Sequence, residues 1–204
     1  MCLLILAAAL FHPPANHDAL TYRMPRLYHW FQNHGWFWIG ALDYRMDIAG
    51  TGFEWLSAPL VFASRGDRLL FLLNYLPFLL LPCLSFLAGT GLGLRPRESR
   101  WWMYVWPLAY GVAMQAGSIG NDFAGVALSV ASLAFAKEAA HGKPFICLTF
   151  SAAAAVLMTS VKITTLPLAL PLAIYWCAQA WMLLPLSKIL RIPLVLVPVI
   201  ALCS

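Results

Sequence analysis

The chain has 204 residues, of which 62% are hydrophobic and only 10% are charged. Soluble domains are typically about 45–50% apolar and about 25% charged, so this composition excludes an ordinary soluble domain. We interpret the sequence as a polytopic membrane protein of the all-α class, a transmembrane helix bundle in one domain. The net charge of +5 does not indicate binding to nucleic acid, because the basic residues are scattered among loops between apolar segments. The five cysteines form no CxxC pattern or Cys/His cluster, which argues against a disulfide framework or a zinc site.

The first apolar segment, CLLILAAAL, has about half of the ~20 residues that a membrane-spanning helix needs. We expect residues 1–12 to be the end of a first spanning helix. A secretory signal peptide is the alternative, since small residues at 7–9 could precede a cleavage site, although a basic n-region is missing. Residues 192–204 form a second partial span. The sequence is therefore expected to be the N-terminal part of a longer membrane domain.

Between these two ends lies PPANHDALTYRMPRLYHWFQN, a polar and aromatic stretch at residues 13–33. If Asp18 opens a helix, steps of ~100° per residue place five polar side chains on one face: Asp18, Tyr22, Arg26, His29 and Asn33. The opposite face is apolar: Leu20, Met24, Leu27 and Phe31. We predict an amphipathic juxtamembrane helix on a membrane surface, kinked or restarted after Met24 by Pro25. An interfacial anchor without chemistry is the alternative.

Five complete spans are predicted, at about residues 69–94, 101–119, 123–136, 145–160 and 163–184. Successive spans cross the membrane in alternating directions, so three short basic loops lie on the same side. The positive-inside rule makes this side cytoplasmic. The basic residues of these loops are Arg95, Arg97, Arg100, Lys137, Lys143, Lys188 and Arg191. The extracytoplasmic side then holds the long loop 13–68, the turn 120–122 and Lys162. The other charged residues of the long loop, Glu54 among them, are expected to be solvated or paired at a wet surface.

Three charged residues on the extracytoplasmic side could carry chemistry. Asp18 follows the first apolar segment and two prolines, at the start of the next predicted helix. Partial desolvation there would suit its carboxylate to accept a proton. Its alternative role is a helix N-cap, which Asn16 could equally supply. Asp122 has the same alternative, as a cap for the helix from Phe123 onward. Lys162 could snorkel from a helix end or bind an anionic group at the membrane face.

The stretch PPANHDALTYRMPRLYHWFQNHG resembles the first extracytoplasmic loop of GT-C superfamily glycosyltransferases of the bacterial protein-mannosyltransferase and aminoarabinose-transferase type. That loop has an Asp after the first helix, then Tyr-His-x-Pro-Arg and His-Trp-x-Gln-Asn. The matching residues here are Asp18, Tyr22-Arg23-Met24-Pro25-Arg26 and His29-Trp30-Phe31-Gln32-Asn33, with Arg23 where the family has His. Gly120-Asn121-Asp122 resembles a second acidic motif, and Ser160-Val161-Lys162 a lysine-containing turn.

The resemblance implies a membrane transferase that moves a sugar from a polyprenyl-phosphate-linked donor to an acceptor hydroxyl, inverting the anomeric configuration. Asp18 would be the general base, and Asp122 the residue near which a divalent metal ion, if one is used, would bind. The implied substrate-binding residues are Tyr22, Arg23, Arg26, His29, Arg45 and Lys162. A lipid, glycan or protein would be the acceptor, and the site would face the periplasm or exterior of a bacterial inner membrane.

Two further function classes remain alternatives. A membrane transporter would be expected to place ionisable residues near mid-bilayer and to show repeated, broken helices, whereas here the charges concentrate at one face. A non-catalytic membrane assembly subunit would need only the interfacial anchor.

Overall fold

The computed structural model describes residues 1–12, 16–48 and 50–203. Residues 13–33 are called the opening stretch below, and their first three residues lie outside the described residues. Within these ranges the protein is 78% helical without strands, which confirms the predicted all-helical class. The helices are α1 Cys2–Phe11, a π-helical segment Ala19–Arg23, α2 Met24–Gln32, α3 Arg45–Ile48, α4 Gly52–Ser64, α5 Leu72–Gly91, α6 Pro96–Leu108, α7 Tyr110–Ala116, α8 Asp122–Glu138, α9 Pro144–Val161, a 3₁₀ turn Ile163–Thr165, α10 Leu166–Leu183, α11 Leu186–Ile189 and α12 Arg191–Cys203.

Three helices in the described part of the chain are long and apolar enough to cross a membrane. They are Leu72–Gly91, Pro144–Val161 and Ile163–Leu183, which match the predicted spans 69–94, 145–160 and 163–184. The break predicted between the last two is also present. Lys162 is extended, with φ −148° and ψ 106°, and separates α9 from the 3₁₀ turn that leads into α10.

The other two predicted spans do not reach that length and hydropathy. Residues 101–119 fall in two helices, α6 and α7, which are separated by an extended residue at Ala109. Pro107 lacks the N–H that would bond to the carbonyl four residues earlier, and α6 ends one residue later. Residues 123–136 lie in α8, which is helical but has only 17 residues, many of them Ala, Gly and Ser. Three of the five predicted spans therefore coincide with helices that are long and apolar enough to cross a membrane.

Helices α5 and α8 run in the same direction and α9 runs in the opposite one, which gives the molecule two ends. We call the end that holds the starts of α5 and α8 and the end of α9 the site end. There, Asn121 Nδ2 donates to the Val161 carbonyl at 2.6 Å. At the opposite, basic end, Gly91 leaves room for the Lys137 side chain, which a Cβ on this glycine would meet at 2.7 Å. Between the ends, α8 and α9 are joined by Ser151 Oγ, which donates to the Ser132 carbonyl at 2.8 Å.

The long loop folds over the site end. Leu27 of α2 and Phe53 of α4 are buried in one hydrophobic cluster with Val161 of α9. The start of α4 approaches the last turn of α9 so closely that only glycine fits. A Cβ on Gly50 would collide with the Ser160 carbonyl, and a Cβ on Gly52 with its hydroxyl. Helices α2 and α4 are thereby fixed at the level where α9 ends.

Candidate functional site

The opening stretch changes helix type immediately before its proline. The Met24 N–H donates to the Ala19 carbonyl, five residues earlier, and α2 begins at Met24 with Pro25 in its first turn. The wider π-helical turn rotates the residues that follow it, so the five polar residues do not share one face. Arg26 is buried and His29 is exposed.

Asn16 supplies the cap of this helix. Its Oδ1 accepts a hydrogen bond from the Ala19 N–H at 3.2 Å, whereas the Asp18 side chain makes no capping bond. The Asp18 carboxylate is 49% exposed, and its Oδ1 lies 3.5 Å from Arg45 Nη1. The capping role that competed with a chemical role for Asp18 is therefore taken by Asn16.

Arg45 is the cation nearest to Asp18. It donates to both carboxylate oxygens of Asp43, from Nη2 to Oδ2 at 2.8 Å and from Nε to Oδ1 at 3.0 Å. Its guanidinium also lies 4.8 Å from the centre of the Tyr22 ring. These hydrogen bonds lower the pKa of Asp43 and raise the pKa of Arg45. Arg45 is held as a permanent cation beside the Asp18 carboxylate.

Glu54, Arg23 and Arg26 form a buried ion triad, which contacts the Arg45 backbone. The Glu54 side chain is 1% exposed, and its Oε1 lies 3.5 Å from both Arg23 Nη1 and Arg26 Nη1. Burial raises the pKa of Glu54, and the two guanidinium groups oppose that rise. Burial also lowers the pKa of Arg26. The expectation that Glu54 lies at a wet surface is wrong, because α4 packs against α2 and α9 and removes it from solvent. The sequence feature that could have indicated the burial of Glu54 is its position as one acidic residue inside the apolar helix GFEWLSAPLVFAS.

The triad supports the groups around Asp18. Arg23 Nη2 donates to the Tyr22 hydroxyl at 3.1 Å, and Arg26 Nη2 donates to the Arg45 backbone carbonyl at 2.5 Å. Glu54 thus holds the two arginines that bond to Tyr22 and to the Arg45 backbone. In this structure Arg23 and Arg26 contact Tyr22 and the Arg45 backbone. Direct contact of these arginines with substrate stays a prediction.

The other two motifs meet at the same end of the molecule. The Lys162 ammonium contacts the Asp122 carboxylate, and Asn121 bonds to the end of α9. Helix α8 begins at Asp122 with Asn121 in the N-cap position and without a side-chain capping bond. The Asp122 carboxylate is therefore paired with Lys162 and does not cap its helix.

Lys162 connects this pair electrostatically to the opening stretch. Burial lowers the pKa of Lys162, the positive charge of Arg23 lowers it further, and Asp18 opposes both. The ammonium therefore lies within electrostatic range of Arg23 and Asp18, between two of the helices that can span a membrane. Asp18, Arg45, Asp122 and Lys162 form one partly exposed group, which we call the charged cluster.

Two sequence predictions find no supporting contact in the charged cluster, namely substrate binding by His29 and a metal ion near Asp122. His29 is exposed on α2, and in the described residues no hydrogen bond or ion pair joins its side chain to the cluster. Asp122 has an ammonium as its neighbour, which is unsuited to a site that must also hold a divalent cation. No group of three or more His, Cys, Asp or Glu side chains occurs among the described residues. A metal ion near Asp122 stays a prediction, and the chemistry below uses none.

An apolar groove of about 400 Å³ begins at the site end, near the level of Asp122 along α8. It runs between α4, α5 and α8 and is lined by Leu56, Pro59, Leu76, Leu84, Ala124 and Ala131, among others. Leu56 and Ala124 lie two residues after Glu54 and Asp122, so the groove starts within one helical turn of them. Along α5 it extends from Leu72 to Leu84, about 18 Å at a rise of ~1.5 Å per residue.

Comparison of the chain with protein-family models, curated proteins and solved structures returned no match. The GT-C resemblance rests on the three motifs and on their order along the chain.

Proposed function

We propose that this protein is an integral-membrane glycosyltransferase of the GT-C type, with Asp18 as its general base. It would transfer a sugar from a polyprenyl-phosphate-linked donor to an acceptor hydroxyl. The observation that carries the proposal is the state of Asp18. Its carboxylate is half exposed, takes no part in helix capping, and lies beside Arg45 within electrostatic range of Lys162.

The charged cluster and the apolar groove suit the two parts of such a donor. Arg45 and Lys162 are partly exposed cations that can hold a phosphate at the membrane face. The groove is almost entirely apolar and opens along α5, one of the helices that can span the bilayer. A lipid tail in the groove would place its phosphate at the site end, where the cluster lies.

In the proposed reaction, Asp18 accepts the proton of the acceptor hydroxyl while that oxygen attacks the anomeric carbon. The bond between this carbon and the phosphate oxygen breaks in the same displacement, so the configuration inverts. The departing phosphate keeps the bonding electrons, and Lys162 and Arg45 stabilise its charge. General-base assistance contributes about 10²–10⁴-fold. Each well-placed donor to a developing anion contributes on the order of 10²–10³-fold.

The proposed membrane arrangement follows from the charge distribution. The basic end would face the cytoplasm and the site end the periplasm or exterior of a bacterial inner membrane. The helices α2–α4 would then be juxtamembrane elements above a transmembrane bundle. The acceptor would be a lipid, glycan or protein that reaches this face.

The test is sugar transfer by membranes that carry the protein with Asp18→Asn. Asparagine keeps the size of the side chain and removes the proton acceptor, so turnover from a polyprenyl-phosphate sugar should fall at least about 10²-fold. The matched control is Glu138→Gln, which neutralises an exposed carboxylate at the basic end and should leave turnover unchanged. If the Asp18→Asn protein inserts normally and keeps the parental rate, Asp18 is not the base.

A further inference from the structure

Four tryptophans form a continuous ladder that joins three segments of the long loop. Trp30 of α2 stacks on Trp55 of α4, with ring centres 5.9 Å apart and planes 29° apart. The ring centres of Trp36 and Trp30 lie 6.2 Å apart, and those of Trp38 and Trp36 lie 5.9 Å apart. Trp30 Nε1 donates to the Phe37 carbonyl at 3.0 Å, which fixes the segment 36–38 over α2.

Only the centre of the ladder is buried. Trp30 is enclosed, whereas Trp36, Trp38 and Trp55 are exposed, Trp38 to 63%. We call these three residues the Trp surface. Leaving several indole rings in water forgoes the stabilisation of their burial, at roughly 25 cal/mol per Å². Contiguous exposed apolar surface of this kind marks an interaction site.

The position of the Trp surface identifies its partner. Trp55 shares an apolar groove with Leu157 of α9, one turn before that helix ends at Val161. The glycines at the start of α4 pack on Ser160 in the same last turn. The Trp surface therefore lies at the level where a helix able to span the bilayer leaves it. At that depth, headgroups and acyl chains meet, and the amphipathic indole ring is favoured there.

We propose that the Trp surface inserts into the headgroup layer of a phospholipid bilayer and sets the depth of α2 and α4. This assigns the membrane contact to a surface other than the apolar face predicted for α2, because Met24 and Leu27 of that face are buried within the protein. The contact does not require anionic lipid, since the nearest arginine, Arg26, is buried against Glu54. The inference needs the protein to be in a membrane but does not rest on sugar transfer.

Depth-dependent fluorescence quenching tests this contact in the whole chain, reconstituted in phosphatidylcholine vesicles. The native cysteines are replaced, and one cysteine is introduced as Trp38→Cys or Trp36→Cys and labelled with a small fluorophore. Bromine on the lipid near the glycerol backbone should quench both labels, and aqueous iodide should not. Adding phosphatidylglycerol should leave the result unchanged.

Tyr44→Cys is the matched control. Tyr44 is 65% exposed in the same loop, but it lies between Asp43 and Arg45 of the polar surface. Its label should be quenched by iodide and not by the brominated lipid. The proposal is overturned if the labels at 36 and 38 behave like the label at 44. The Trp surface would then face water, where stacking against a sugar ring is the better interpretation.

Discussion

At the site end, all of the ion pairs between described residues except Arg45–Asp43 join residues that are far apart in the sequence, whereas at the basic end charged groups bond to residues within one turn or lie in solvent. Arg23 and Glu54 are 31 residues apart, and both are buried. At the basic end, Glu98 accepts from the Arg95 N–H and Arg100 donates to the Pro96 carbonyl, both within one turn. Lys137 makes a longer-range contact, 4.6 Å from the Tyr175 ring.

This difference separates two uses of charge in one molecule. In the described residues the ion pairs lie at the site end, where one set joins the segments that carry α2, α3 and α4 and another joins the start of α8 to the end of α9. Solvated charges at the basic end add little to folding, since exposed pairs contribute only about 0–1 kcal/mol. They act through their number and sign, which determine the orientation of a helix in a membrane.

The largest expected effect comes from breaking the buried triad. Glu54→Gln leaves two buried guanidinium groups without a counter-charge, which should lower the free energy of unfolding by about 3–5 kcal/mol. Unfolding in detergent measures the loss. Glu98→Gln, at the basic end, should change it by less than about 0.5 kcal/mol. Replacing the whole triad, with Glu54→Leu, Arg23→Met and Arg26→Met together, should recover most of the stability. Equal losses in the two single variants would contradict the comparison.

Lys162 should show the next largest effect, on phosphate binding. Lys162→Met removes a charge-assisted hydrogen bond of about 1.5–3 kcal/mol, so the affinity for farnesyl phosphate should fall roughly 10–100-fold. Binding is measured by titration of the protein in detergent. Lys188→Met removes an exposed lysine at the basic end and should have no effect.

The same titration should depend on pH. Burial and Arg23 lower the pKa of Lys162, so its ammonium is lost at a lower pH than that of a solvated lysine. Phosphate affinity should therefore fall as the pH rises through this lowered pKa. Lys162→Arg keeps its charge and should remove that fall. A wild-type fall that persists in the arginine variant would assign the dependence to another group.

A smaller effect is expected from the helix cap. Asn16→Ala removes the acceptor of the Ala19 N–H and should lower the free energy of unfolding by about 1 kcal/mol. Asp18→Asn should change it by only a few tenths, because the Asp18 side chain makes no capping bond. Chemical unfolding of the two variants distinguishes them. The reverse order would return the capping role to Asp18.

The smallest effect should come from a single charge at the basic end. Arg97 is exposed on α6, so Arg97→Gln should change the free energy of unfolding by less than about 0.5 kcal/mol. Phosphate binding should be unchanged, because the charged cluster lies at the opposite end. A loss comparable to that of Glu54→Gln would show that the basic end contributes to folding as the site end does.

Properties that depend on neighbouring residues were determined by the sequence itself. Hydropathy over about 20 residues located α5, α9 and α10, and one polar break at Lys162 separated the last two. The same local chemistry offered Asp18 and Asn16 as alternative caps, of which the structure uses Asn16, and indicated Pro25 as the point of change in the helix of the opening stretch. Each of these features is decided within a few helical turns, where backbone hydrogen bonding and side-chain size dominate.

Only the tertiary structure decided which charges are buried and which groups meet. Whether Glu54 is solvated depends on how α4 packs against α2 and α9, which no local pattern specifies. The contact between Asp122 and Lys162 likewise requires the start of α8 to lie at the end of α9. The physical reason is that burial sets the free energy of a charge, and burial is a property of the packed helices. The sequence supplied the charged residues, and the packing determined which of them stay in contact with water.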